Sequence, residues 1–188
     1  MPSNWMDTER TSQDAMPTML AQAAIVAATL CVGEIACSPL YFNLLAQSVA
    51  LVPWALMACF IAVAFSYIIG FALLWCSEAF TNRMRDTLQP FAYAAVGLIG
   101  YGVWGLFVFT SSLNSVLEPL AQPLLSNGQV VAVTVNSGAL GAVAFFLARM
   151  LGEKLAVRRT PAIALIVAEA ALAVAGLAVM VIMFRQLY

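Results

Sequence analysis

Five long apolar runs, separated by shorter polar stretches, dominate the chain, near residues 19–42, 52–76, 91–113, 129–150 and 161–184. Each has about 20 residues or more, enough for a helix to cross roughly 30 Å of hydrocarbon. The pattern predicts an all-α fold: a polytopic transmembrane helix bundle of about five spans over residues 19–188. A polar segment, 1–18, precedes it. There Asn4, Asp7, Glu9, Arg10, Ser12, Gln13 and Asp14 interrupt any apolar face, and no basic n-region of a signal peptide is present. This segment is expected to be a short, partly disordered cytoplasmic tail.

Composition agrees with the pattern. Of 188 residues, 63% are hydrophobic and 9% charged, whereas a soluble domain is about half apolar and about a quarter charged. Such a chain cannot cover its core with polar surface, so the lipid bilayer is its expected solvent and first partner. Net charge is -1 with no Lys/Arg run, so nucleic acid is not an expected partner. Histidine is absent, which removes the usual metal ligand, general base and proton switch. Cys31, Cys37, Cys59 and Cys76 form no C-x-x-C pair and read as small apolar residues. No metal and no cofactor is expected.

The basic residues set the topology. With the N-terminus in the cytoplasm, Arg10, Arg83, Arg85, Arg149, Lys154, Arg158 and Arg159 all lie inside, and only Arg185 lies outside. The positive-inside rule therefore predicts N-in and C-out, in a plasma (inner) membrane of bacterial type. Pro53, Pro90 and Pro161 open spans, where the missing N–H costs nothing. Pro39 falls inside the first span, where a kink or break near Leu40 is expected. Tyr41, Phe42, Trp54, Trp75, Phe80, Phe91, Tyr93 and Tyr188 fall near span ends, as an aromatic belt would, whereas Trp104 lies mid-span.

Helices in lipid approach closely through small residues. Three seams are expected: Gly97, Gly100, Gly102 and Gly105 on the third span; Thr134, Gly138 and Ala142 on the fourth, with Ser137 and Gly141 beside them; and Ala164, Ala168, Ala171, Ala175 and Ala178 on the fifth. Four glycines in nine residues also make the third helix bendable.

Two carboxylates, Glu34 and Glu169, lie inside spans. A charge at membrane depth costs several kcal/mol, so such a residue normally faces protein or water and is a functional hypothesis by default. Protonation can also meet that cost, and a carboxylate that protonates in the membrane is what a proton-coupled carrier uses. Ser38, one turn beyond Glu34, and the backbone freed near Pro39 would add polar groups to a substrate or proton site. Counted along their helices at 1.5 Å per residue, the two carboxylates sit at different depths, roughly 20 Å and roughly 12 Å from the inner end. Direct pairing between them is not expected. Asn136 is a further binding candidate or an interhelical hydrogen-bonding group. H-E-x-x-H, G-x-S-x-G and phosphate-loop patterns are all missing, and no catalytic residue is expected.

The fourth connection, Leu147 to Arg159, resembles the cytoplasmic loop of major facilitator transporters, Gly-x-x-x-Asp-Arg-x-Gly-Arg-Arg/Lys. Glu153 takes the Asp place, Lys154 the Arg place and Arg158 the closing basic place, with Arg159 next to it. Arg149 stands where Gly is expected, Ala156 replaces the second Gly, and Val157 replaces a basic residue. The resemblance covers about 40 residues and implies that these charges latch helices during alternating access. It also implies a half-carrier, since the family has six helices per half.

Two functions are therefore expected in order. The first is a small-solute carrier or half-carrier, proton-coupled through Glu34, acting as a homo-oligomer or with other membrane subunits. The alternative is a non-catalytic sensor domain or accessory subunit of a larger membrane complex.

Overall fold

The structure, a computed structural model, describes residues 16–45 and 49–187. The tail to residue 15, with Arg10, and the belt residue Tyr188 lie outside the described residues. Five helices carry the rest: α1 Thr18–Leu44, α2 Leu51–Thr81, α3 Gln89–Leu117, α4 Asn127–Ala156 and α5 Arg159–Leu187. All five are long and apolar enough to cross a membrane, and the chain is a multi-pass membrane protein. Their 27 to 31 residues correspond to about 40–47 Å at 1.5 Å per residue, longer than the roughly 30 Å hydrocarbon layer. The ends project beyond the apolar layer, and charges can ride on them without leaving the helix.

That excess length corrects one expectation. Arg149, Gly152, Glu153 and Lys154 belong to the last turns of α4, and the connection to α5 is only residues 157–158. The facilitator-like segment is mostly helix. At the same end, residues 82–88 join α2 to α3, and the Met16 N–H donates to the Ala156 carbonyl (3.1 Å). This is the basic end of the bundle, with Arg83, Arg85, Arg149, Lys154, Arg158 and Arg159.

At the opposite end α4 starts with a capping box: the Ser126 side chain accepts from the Gln129 N–H, and Gln129 Oε1 accepts from the Ser126 N–H. Each satisfies a donor that the first turn would leave free. The loop before it is tied back by Asn114 Oδ1, which accepts from the Leu125 N–H (3.0 Å).

Helix α1 lies at the centre, against α2 on one side and α4 on the other. Helix α3 packs on α4, and α5 packs on α2 at the far edge. A centrally placed helix must be apolar all round, and α1 is the most buried of the five. It runs through Pro39 to Leu44 without the expected break. Pro39 is exposed, and only five residues follow it in the helix. The carbonyl it leaves free, that of Ile35, belongs to an exposed residue, where its loss disturbs little packing.

The α3–α4 interface is built on glycine, but on a different row of α4 from the one expected. Gly97 and Gly141 each lie against the other's carbonyl, Gly102 faces Gly138, and Gly105 faces Ser137. Thr134 and Ala142 are only half-buried beside this seam. The shift of one position toward Ser137, Gly138 and Gly141 lets two backbones touch, which a Cβ on either side would prevent. Gly100 faces Leu73 of α2 instead.

On α5 the alanine row Ala164, Ala168, Ala171, Ala175 and Ala178 faces outward, against expectation. The packed row is Ala162, Glu169 and Gly176, seven residues apart. Gly176 lies against the Leu56 carbonyl and Phe60 of α2. Burying a carboxyl beside a hydrogen-bond donor outweighs the modest gain from packing alanines against a neighbour.

The aromatic belt is also partly reassigned. Trp75, Phe80 and Phe91 are exposed, whereas Tyr41, Trp54 and Tyr93 are core residues.

Two stretches depart from α-helical geometry. Ser66–Gly70 in α2 and Gly105–Phe109 in α3 are π-helical turns, widened by one residue per turn.

Candidate functional site

Glu34 and Glu169 are the only charged side chains buried among the described residues, 0% and 2% exposed. Each is held by a tyrosine from another helix. Tyr101 of α3 donates its hydroxyl to Glu34 Oε1 (2.8 Å), and Tyr67 of α2 donates to Glu169 Oε2 (2.6 Å). Counted along its helix from the basic end, Glu34 is about 24 Å deep and Glu169 about 15 Å deep. The carboxyls do not hydrogen-bond to each other, as the difference in depth implied.

In both, the second oxygen is buried with no hydrogen-bond partner: Oε2 of Glu34 and Oε1 of Glu169. No Lys or Arg is buried beside them. A buried carboxylate with neither counter-charge nor a full set of donors is unstable in hydrocarbon, whereas a protonated carboxyl needs only one acceptor and one donor.

Polar groups extend from Glu34 in both directions. Away from the basic end, Asn136 Nδ2 of α4 donates to the Tyr41 hydroxyl (3.2 Å), and Cys37 Sγ donates to Asn136 Oδ1 (3.3 Å). Asn136 thereby ties α4 to α1, as expected of an interhelical group. The Tyr41 hydroxyl also lies close to the Glu34 carboxyl. Toward the basic end, Cys31 of α1 and Cys59 of α2 face each other, each Sγ near the other's carbonyl (3.8 and 3.9 Å). Cys31 lies within electrostatic reach of both carboxyls. Polar side chains thus follow one another from Asn136 on α4 past Glu34 to the Cys31–Cys59 contact.

Ser38 does not join the carboxyl. Its hydroxyl donates to the Glu34 backbone carbonyl one turn earlier (2.9 Å), which satisfies it within its own helix. Ser137 Oγ is buried in the glycine seam without a partner.

Tyr101 and Tyr41, the two tyrosines at the Glu34 carboxyl, belong to a continuous chain of rings. Trp54 meets Tyr41 (centroids 5.6 Å), Tyr41 stacks on Phe109 (5.7 Å), and Phe109 meets Tyr101 edge-on (6.1 Å). Tyr101 meets Phe65 (4.8 Å), and Phe65 meets Trp104 (5.6 Å). The mid-span Trp104 is the far end of this chain. Sequence reasoning missed Tyr67 and Tyr101, although a signal was present. A tyrosine deep in a span must find a partner for its hydroxyl, and two mid-span tyrosines match two mid-span glutamates.

Glu153 pairs with Arg149 (2.7 Å), one turn back on α4, and not with Lys154. Arg149 also donates through Nε and Nη2 to Gln89 Oε1 (2.9 and 2.6 Å). Gln89 in turn donates toward the Met84 carbonyl and Asp86 Oδ1. Arg149, which breaks the facilitator pattern, is the residue that joins α3, α4 and the 82–88 connection. Lys154 and Arg158 make no ion pair among the described residues. Lys154 fails because at i+1 it leaves the helix in a different direction from Glu153, whereas Arg149 at i−4 lies above it.

Comparison with protein-family models, with curated proteins and with solved structures finds no match.

Proposed function

We propose that this protein is a proton-coupled carrier of small solutes in which Glu34 takes up and releases the coupled proton. One observation carries the reading: the Glu34 carboxyl is wholly buried at mid-depth with Oε2 unpartnered and no basic side chain beside it. A group built only to hold helices together gains most when all its acceptor positions are filled. One left with an empty position is ready to exchange a partner. The N-in orientation, which places the basic end in the cytoplasm, belongs to the same proposal, as does the Gln89–Arg149–Glu153 cluster as the latch at that end.

A second reading, an accessory subunit or sensor domain, is favoured by α5. This helix buries only Ala162, Glu169 and Gly176 and turns its alanine row away from the chain.

Reconstitution in liposomes with a trapped pH dye separates the two. A panel of solutes is added outside under an imposed pH gradient. A carrier gives proton movement that depends on one class of solute and is lost in Glu34→Gln. Equal dye traces for the wild type, Glu34→Gln and empty liposomes across the panel overturn the carrier reading.

A further inference from the structure

Resting on the reading of Glu34 as the coupling group, the geometry points to its substrate class: a lipophilic organic cation, which replaces the Glu34 proton between the rings of α1, α2 and α3. The carboxyl supplies the charge. Its Oε1 is held by Tyr101, and its Oε2 is buried without a partner. The surround is aromatic. Trp54, Tyr41, Phe109, Tyr101, Phe65 and Trp104 form one unbroken chain with centroids 4.8 to 6.1 Å apart. Ring faces are negative and attract cations, most strongly when water is excluded.

The same chemistry rejects the other classes. An anion would meet the carboxylate with no Lys or Arg to offset it. A hard metal ion takes six or more oxygen ligands, and beside the Glu34 carboxyl stand two tyrosine hydroxyls, those of Tyr101 and Tyr41. A neutral apolar solute gains nothing from a carboxylate. An organic cation uses both the charge and the rings.

The rings are packed shut, and two features indicate that this is one arrangement of two. The indole N–H groups of Trp54 and Trp104 are buried without acceptors, so three polar atoms of the site, with Glu34 Oε2, are unsatisfied together. The π-helical turns lie at the rings themselves. Ser66–Gly70 begins one residue after Phe65, and Gly105–Phe109 begins one residue after Trp104 and ends on Phe109. A π turn can revert to α geometry, and doing so turns the helix on one side of it relative to the helix on the other. Three of the six rings, Phe65, Trp104 and Phe109, lie at these turns. Charge balances in the exchange: the cation enters as one proton leaves the Glu34 O–H, and the site stays neutral overall.

The test uses the full chain in nanodiscs under weak buffer, with tetraphenylphosphonium as cation and tetraphenylborate as an anion of the same shape. The expected result is saturable phosphonium binding with tryptophan quenching, about one proton released per cation bound, and no saturable borate binding. Glu34→Gln should lose the proton release and at least tenfold in affinity. Phe65→Leu, which keeps the carboxyl, should lose several-fold in affinity and keep the one-to-one proton release. Ala171→Leu, on the outer face of α5, should bind as the wild type does. Equal binding of borate, or wild-type phosphonium affinity in Glu34→Gln, overturns the proposal. Absent phosphonium binding, with Glu34-dependent proton movement still driven by another solute, overturns this substrate class and leaves the carrier reading intact. Loss of both overturns both.

Discussion

The glycine seam offers the sharpest test of how packing supports the site. At Gly141 an added Cβ would lie 2.5 Å from the Tyr101 Cβ and 3.0 Å from the Gly97 carbonyl carbon. Neither neighbour is the free end of a flexible side chain, so the helices must part or Tyr101 must turn. Overpacking a core typically costs about 1–3 kcal/mol, and a clash against backbone belongs at the upper end. Parting the helices also weakens the reciprocal Cα–H to carbonyl contacts of Gly97 and Gly141, about 0.5–1 kcal/mol each. Alanine recovers about 1 kcal/mol through its higher helix propensity. The net expectation for Gly141→Ala is a loss of about 2–4 kcal/mol. Gly128→Ala is the control, since nothing lies within 4 Å of its added Cβ; it should be neutral or up to about 1 kcal/mol more stable. Both are measured by denaturant or thermal unfolding in the same detergent micelle. Gly141→Ala with the midpoint of the wild type would refute the idea that backbone contact sets the α3–α4 spacing.

Other outcomes follow from single contacts. Tyr101→Phe removes the 2.8 Å hydrogen bond to the Glu34 carboxyl and should cost about 1–3 kcal/mol in the same unfolding assay, as should Tyr67→Phe at Glu169. Arg149→Ala should destabilise by about 1–3 kcal/mol through the charged hydrogen bonds to Gln89, while Lys154→Ala stays within about 0.5 kcal/mol. Most of that loss belongs to Gln89, because the Arg149–Glu153 pair is 25% and 68% exposed and such pairs contribute little. Mild oxidation in the bilayer should link Cys31 to Cys59 as a disulfide between α1 and α2, read by peptide mass after digestion. Crosslinking through Cys76 instead would contradict the packing of those helices. Gly176→Leu should lower stability, since a Cβ there meets backbone, whereas Ala171→Leu on the outer face of α5 should not.

Hydropathy and length alone made the five spans legible, because hydrocarbon imposes one condition on every crossing segment. The two carboxylates were legible for the same reason: charge is costly at that depth. What the sequence did not reveal is direction around each helix axis. In a soluble helix the polar face shows which side is out, but here both sides are apolar. Ala164 to Ala178 and Ala162 to Gly176 are both plausible seams by composition, and only the position of Tyr67 opposite Glu169 decides between them. The α4 row slipped by one position for a related reason, since Thr134–Gly138–Ala142 and Ser137–Gly138–Gly141 share Gly138. Arg149 to Lys154 were read as loop because charge marks the end of an apolar run, although the helix continues through them to Ala156. On a continuing helix, spacing of four selects Arg149 for Glu153.

The order in which the chain is made sets a demand on its insertion. Helix α1 is synthesised first and ends at the centre of the bundle, but Tyr101, the donor to Glu34, lies 67 residues further on. At about 5–20 residues per second the donor emerges about 3–13 s after the carboxyl. Glu169 faces the reverse situation, because Tyr67 precedes it by 102 residues and is already in place. During that interval α2 can pack on α1, but the carboxyl lacks its donor from α3. The insertion machinery must shelter α1 until α3 arrives, or the carboxyl must enter the membrane carrying its proton. A ribosome pause between α2 and α3 would lengthen the wait, and faster synthesis of the 82–88 connection would shorten it.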